Sequence, residues 1–134
     1  MSFEIFQVNG WAVLVSGLAY FAIGAGWYGL LAEPWMKGVG KSKDDLEQDP
    51  RDYVLSLVCE VAIAFFVAVA LNAFGVGGML QAVFVGALVW FGFSLLPAIV
   101  HYAYEDRTLS LLAINEGYDF IGIEVSAIIL SAWM

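Results

Sequence analysis

Long stretches without a formal charge alternate along the chain with short stretches crowded with them. Nothing from Ile5 to Ala32 is charged, and from Val61 to Tyr104 only His101 titrates near neutral pH. A helix crossing the roughly 30 Å hydrocarbon core of a bilayer needs about 20 apolar residues. The first stretch is therefore one span, about residues 11–32. The second is too long for a single helix and carries its own break at Gly75-Val76-Gly77-Gly78, because glycine weakens a helix interior. It divides into spans at about 53–74 and 79–101, joined by a tight hairpin. A fourth apolar stretch, about 111–133, has the length of a span but holds Glu116, Asp119 and Glu124. The expected fold is all-α and polytopic, with four transmembrane helices in an antiparallel bundle forming a single domain over 1–134.

Residues 33–52 read differently. Ser42 followed by Asp45 fits a capping box opening a short polar helix. Asp49-Pro50 supplies an N-cap and a proline at the first helical position, so the second span's helix is expected to start at Pro50. Glu33-Pro34-Trp35-Met36 reads as a short interfacial turn. The loop's acidity is that of a solvated surface, with docking of a partner as the sharper alternative.

Composition agrees with a lipid-solvated chain. Hydrophobic residues make up 62% and charged residues only 13%, against about 25% charged in soluble domains. Mean hydropathy is +0.84. The formal charge of −8 excludes a nucleic-acid binder, and a single cysteine excludes a disulfide-stapled scaffold. Orientation follows from the basic residues. Lys37, Lys41, Lys43, Arg51 and Arg107 all fall in two loops on one side if both termini lie outside. Loop 33–52 is then cytoplasmic. No basic n-region precedes the first span, which speaks against a cleaved signal. Trp11, Trp27-Tyr28, Trp35, Tyr53, Tyr102, Tyr104 and Trp133 sit near span ends, as an aromatic belt would.

Gly24-Ala25-Gly26-Trp27-Tyr28-Gly29 matches the dinucleotide pattern G-x-G-x-x-G, with Asp44 downstream. That pattern works where a strand turns into a helix beneath a pyrophosphate. Here it ends an apolar helix, so nucleotide binding is rejected. The small-xxx-small pairs Ala22/Gly26, Ala64/Ala68 and Ala82/Gly86 are packing signals instead. Cys59 reads as a small packing residue, and Pro97 should bend the third span.

The chemistry lies in the acids within the spans. An Asp at a span's centre costs about 2.5–3.5 kcal/mol on insertion scales, so such groups face the bundle interior, a cavity or a partner subunit. At ~1.5 Å per residue, Glu60 and Asp119 lie about 10 and 12 Å from the cytoplasmic end. His101 and Glu116 fall at similar depth, and Glu124 nearer the midplane. The candidate intramembrane cluster is therefore Glu60, His101, Glu116, Asp119 and Glu124. Such a cluster suits a proton or ion pathway, or a divalent metal held by oxygen and nitrogen ligands. The plainer alternative is that the acids are neutral or hydrogen-bonded to Tyr118, Asn115, Ser126 or backbone, and only fix helix packing. No triad, phosphate loop or metalloprotease spacing is present, so neither an enzyme nor a cofactor is expected.

Further segments carry a resemblance. Asn9-Gly10-Trp11-Ala12-Val13, Gly24 to Tyr28, Trp35 with Gly38, Phe91-Gly92-Phe93 with Leu96-Pro97-Ala98, and Ile114-Asn115-Glu116-Gly117-Tyr118 together span nearly the whole chain. They resemble a bacterial family of small four-span membrane proteins catalogued as domain of unknown function 1761. The resemblance implies four helices and a bacterial inner (plasma) membrane, and brings no activity or catalytic residues. Two functions are expected from the whole. One is small-molecule, ion or proton transport through the acidic cluster. The other is a non-transporting accessory subunit of a larger membrane complex. Either way the partners are the lipid bilayer and a second copy or another membrane subunit.

Overall fold

Three of the long helices begin where a short polar side chain satisfies their first free N–H groups. Asn9 Oδ1 accepts from the amides of Trp11 (3.0 Å) and Ala12 (3.2 Å). Asp49 Oδ1 accepts from Arg51 N at 2.9 Å, with Pro50 leading the helix as expected. Thr108 Oγ1 accepts from Leu111 N at 3.1 Å. In this computed structural model, which describes residues 3–46 and 49–133, the helices are α1 (Gly10–Leu30), α2 (Ala32–Val39), α3 (Pro50–Ala73), α4 (Met79–Trp90), α5 (Leu96–Tyr104) and α6 (Leu109–Ala132). Phe3–Phe6 and Lys43–Asp45 are 3-10 turns, and Phe91–Leu95 is a π-helical segment. Among the described residues there is no β-strand.

The short polar helix expected after Ser42 is the single turn Lys43–Asp45. Asp45 Oδ2 reaches back to Ser42 N at 3.1 Å and Oγ at 2.8 Å. At Pro97, where a bend is expected, the helix carries an irregular turn. A proline lacks the N–H that continues the helical ladder, and immediately before it the helix widens into the π segment, where Leu96 N bonds Phe91 O. The helix runs on through it, so Met79–Tyr104 is one run of 26 residues.

Among the described residues, three helices are long and apolar enough to cross a membrane: Gly10–Leu30, Pro50–Ala73 and Met79–Tyr104. The fourth is as long as α3, but every stretch of 18 residues within Leu109–Ala132 includes Glu116, Asp119 and Glu124. It is also the helix most enclosed by the others, packing against α1, α3 and α4. Ten of its residues are buried, among them Glu116, Tyr118, Gly122, Ser126 and Ala127.

The interior combines aliphatic side chains such as Leu71, Leu111 and Ile123 with five alanines, three tyrosines, two serines and two glutamates. Leu80 (85% exposed), Phe93 (84%), Phe84, Phe66 and Val54 point outward. So many large apolar side chains on the surface fit hydrocarbon rather than water. Cys59 is exposed on α3 and does not pack inside the bundle. Of the small-residue pairs, Ala64/Ala68 and Ala82/Gly86 are buried, whereas Ala22/Gly26 faces outward and a Cβ on Gly26 would touch nothing.

The two ends of the rod bundle are distinct. At one, Asn72 Nδ2 donates to Ile5 O (3.0 Å) and Gln7 O (3.1 Å), fastening the chain's start to the end of α3. At the other, α2 folds back so that Trp35 and Val39 pack on Tyr102, Leu111 and Leu112. The up-and-down chain course gathers Lys37, Lys41, Lys43, Arg51 and Arg107 at this second end.

Candidate functional site

The site is assembled where α1, α3 and α6 meet. Tyr20 of α1 leans onto α6 at Gly122, where a Cβ would run into its ring. Tyr118 of α6 reaches α1 at Gly24, where a Cβ would sit 2.7 Å from the phenol oxygen. Those two bare positions let the phenols cross edge-to-face, with ring centroids 5.1 Å apart. Each hydroxyl then meets a carboxyl group. Tyr20 Oη donates to Asp119 Oδ1 at 2.5 Å, and Tyr118 Oη lies 2.5 Å from Glu60 Oε1 and 2.9 Å from the Tyr20 carbonyl. Glu60 is 8% exposed, and its Oε2 is buried without a protein partner.

Proton arithmetic gives this arrangement its chemistry. A phenol has one O–H, and the Tyr118 hydroxyl faces two acceptors. Both contacts are hydrogen bonds only when Glu60 carries a proton and donates it to the phenol oxygen, leaving the phenol free to serve the Tyr20 carbonyl. With Glu60 ionised, one of the two oxygens goes unserved. The cluster therefore registers the presence or absence of a single proton in its bonding pattern.

Counted from Pro50 and Leu109, Glu60 and Asp119 both lie about 15 Å into their helices at ~1.5 Å per residue. They are deeper than their expected 10 and 12 Å because both helices begin before residues 53 and 111. The other three expected members lie elsewhere. Glu116 is buried against the π segment, where Ser94 Oγ donates to its Oε1 at 2.6 Å and Trp90 Nε1 to its backbone carbonyl at 2.9 Å. Glu124 lies between α6 and α4 against Gly86, its Oε1 buried and unpartnered. His101 is exposed on α5, on the outer surface rather than among the acids. A 3.6-residue repeat fixes depth well but leaves the facing direction to neighbouring helices. That is why equal depth did not become one cluster. No group of three or more His, Cys, Asp or Glu side chains fit to hold a metal occurs among the described residues.

Toward the basic end the polar chain continues. Tyr28 Oη donates to Asn115 Oδ1 (2.7 Å), Asn115 Nδ2 donates to Tyr102 Oη (2.7 Å), and Arg107 stacks over the Tyr102 ring at 3.9 Å. Trp27 Nε1 donates to Ile114 O at 2.8 Å. Trp27, Tyr28 and Tyr102 thus turn inward instead of forming the expected belt. Trp11, Tyr53, Tyr104 and Trp133 remain exposed near helix ends. Tyr20 was missed altogether, although one signal existed. A tyrosine in the middle of an apolar span needs a partner for its hydroxyl.

Helices of membrane length and composition, enclosing a helix whose carboxyl groups meet tyrosines, define a helical protein suited to a bilayer. The chain belongs to the family described as Protein of unknown function (DUF1761), whose model matches residues 11–131. Neither the curated proteins nor the solved structures contain a match to it.

Proposed function

We propose that the chain is a single-domain, four-span protein of the bacterial plasma membrane, with both termini outside, that carries protons or a small cation along the α1/α3/α6 seam. Glu60 and Asp119 take up and release the transported charge, and Tyr118 and Tyr20 hold them in place. The observation that carries this reading is the pairing of two mid-depth carboxyl groups with two phenols where α1, α3 and α6 meet. Intramembrane carboxyl groups are expensive, and a functional role on an ion or proton path is the default reading of them. Placing α6 as the fourth span is supported by its enclosure, since the three apolar helices shield its acids from lipid. The clustering of basic residues at one end supports the orientation.

Purified protein in liposomes should collapse an imposed pH or cation gradient faster than empty vesicles. The double variant Glu60→Gln/Asp119→Asn should be as slow as empty vesicles. Flux that survives in this variant, with the protein correctly inserted, removes the reading. A stoichiometric partner in mild detergent, together with no flux from the wild type, would favour an accessory subunit instead.

A further inference from the structure

Three helices share a register along the seam. On α1, four-residue steps give Ala12, Ser16, Tyr20 and Gly24; on α6 they give Leu130, Ser126, Gly122 and Tyr118; on α3 they give Ala68, Ala64 and Glu60. Residues four apart on a helix lie on one face. The layers at both ends of this ladder are fixed by contacts. Ala12, Ala68 and Leu130 jointly line a cavity of about 180 Å³ at the non-basic end, together with Asn9, Asn72 and Trp133. Tyr20 sits against Gly122, and Tyr118 joins Glu60 to Gly24. Between them the register places one layer made of Ser16, Ser126 and Ala64, each 0% exposed.

That layer has an unmet chemical need. Ser16 Oγ and Ser126 Oγ are buried with no protein partner, and so is Glu60 Oε2 one layer deeper. Buried hydroxyls in proteins are almost always bonded, to protein or to water. A buried water makes about three hydrogen bonds to groups otherwise unsatisfied. Three such atoms fall in adjacent layers here, the two hydroxyls in the small-residue layer next to the cavity and the carboxyl oxygen in the layer beyond it. We propose that Ser16, Ser126 and Glu60 hold a water site that connects the Asn9–Asn72 cavity to the Glu60 carboxyl, forming the aqueous entry to the seam. A proton delivered as hydronium leaves a water in the site and neutralises the Glu60 carboxylate, with no other reactant needed. The proposal rests on the reading of the seam as a charge path in naming that proton, but the hydration itself can be measured without transport.

The test uses cysteine labelling in liposomes, in a Cys59→Ala background, with a small charged methanethiosulfonate reagent. Only a water-exposed thiol forms the reactive thiolate. Ser126→Cys and Ser16→Cys should therefore be modified about tenfold or more faster than Ala127→Cys, an equally buried position on the α4 side of α6. Equal, slow labelling of all three overturns the water site. The double variant Ser16→Ala/Ser126→Ala provides a second readout. A water-bridged layer loses thermal stability on this change, whereas a dry layer gains it by shedding two unmet hydroxyls; a gain overturns the proposal. Rapid labelling with no proton flux in the wild type would remove the transport reading and leave the water site standing. Normal flux without labelling would do the reverse.

Discussion

Tyr118 has one hydroxyl proton and two oxygens within reach, and that makes it the residue on which the interior most depends. Tyr118→Phe leaves the Glu60 carboxyl and the Tyr20 carbonyl without that hydroxyl. It should lower stability in detergent by about 1–3 kcal/mol, measured by thermal or denaturant unfolding. Tyr104→Phe, at an exposed position, should change nothing measurable and serves as the control. Glycines sort the same way by what surrounds them. Gly122→Ala drives a methyl into the Tyr20 ring and should cost about 1–3 kcal/mol. Gly26→Ala meets empty space and should be neutral or stabilising by up to about 1 kcal/mol. Equal effects of the two substitutions would mean that α1 and α6 do not approach as described. The acids, Tyr118 and the glycines were all visible in the sequence as residues out of keeping with a plain span. Which acid met which phenol was not, because hydrogen bonds 58 and 99 residues apart along the chain depend on helix rotation.

Helix boundaries are the best-determined feature at the scale of elements, because they depend on neighbouring residues alone. Asn9→Ala removes an acceptor for two amides and should lower unfolding stability by about 1 kcal/mol. The start of α3 adds a pH dependence whose sign is fixed. The side chain and then the backbone N–H of Arg51 bind the ionised Asp49 carboxyl and hold it below its ordinary value of 3.8. A lowered value stabilises the folded form above the ordinary one and is lost as pH falls through the folded one. First-turn amides of α3, read by hydrogen exchange with the intrinsic rate divided out, should thus keep constant protection from about pH 5 to pH 8 and lose it only in stronger acid. Protection that fades already near pH 6 would show that another group caps the helix. The π segment belongs at this scale too. Pro97 announced an interruption, and the helix meets it with the wider turn of Phe91–Leu95, beside the Ser94–Glu116 hydrogen bond.

For the whole molecule, the strongest expectation is topological. A phosphatase active only outside the cytoplasmic membrane, fused after Trp133 or within the Gly75–Gly78 loop, should be active, and fused after Gly40 or Arg107 it should be silent. The reverse pattern would invert the proposed orientation. Three apolar spans, the Gly-rich hairpin between two of them and the basic end were legible from the sequence, because length, hydropathy and charge asymmetry are local sums that need no neighbours. The status of α6 was not so legible. Three acids in one helix are tolerable only if other helices enclose them, and enclosure is a property of the assembled chain. The tertiary structure alone parted five candidate residues into a Glu60–Tyr118–Tyr20–Asp119 seam, a Glu116–Ser94 pair, a Glu124–Gly86 contact and an exposed His101. Sequence determined the spacing of the polar groups along each helix, since rise per residue is constant. Which way each one faces was settled by glycines at helix contacts and by hydroxyls that had to find partners away from lipid.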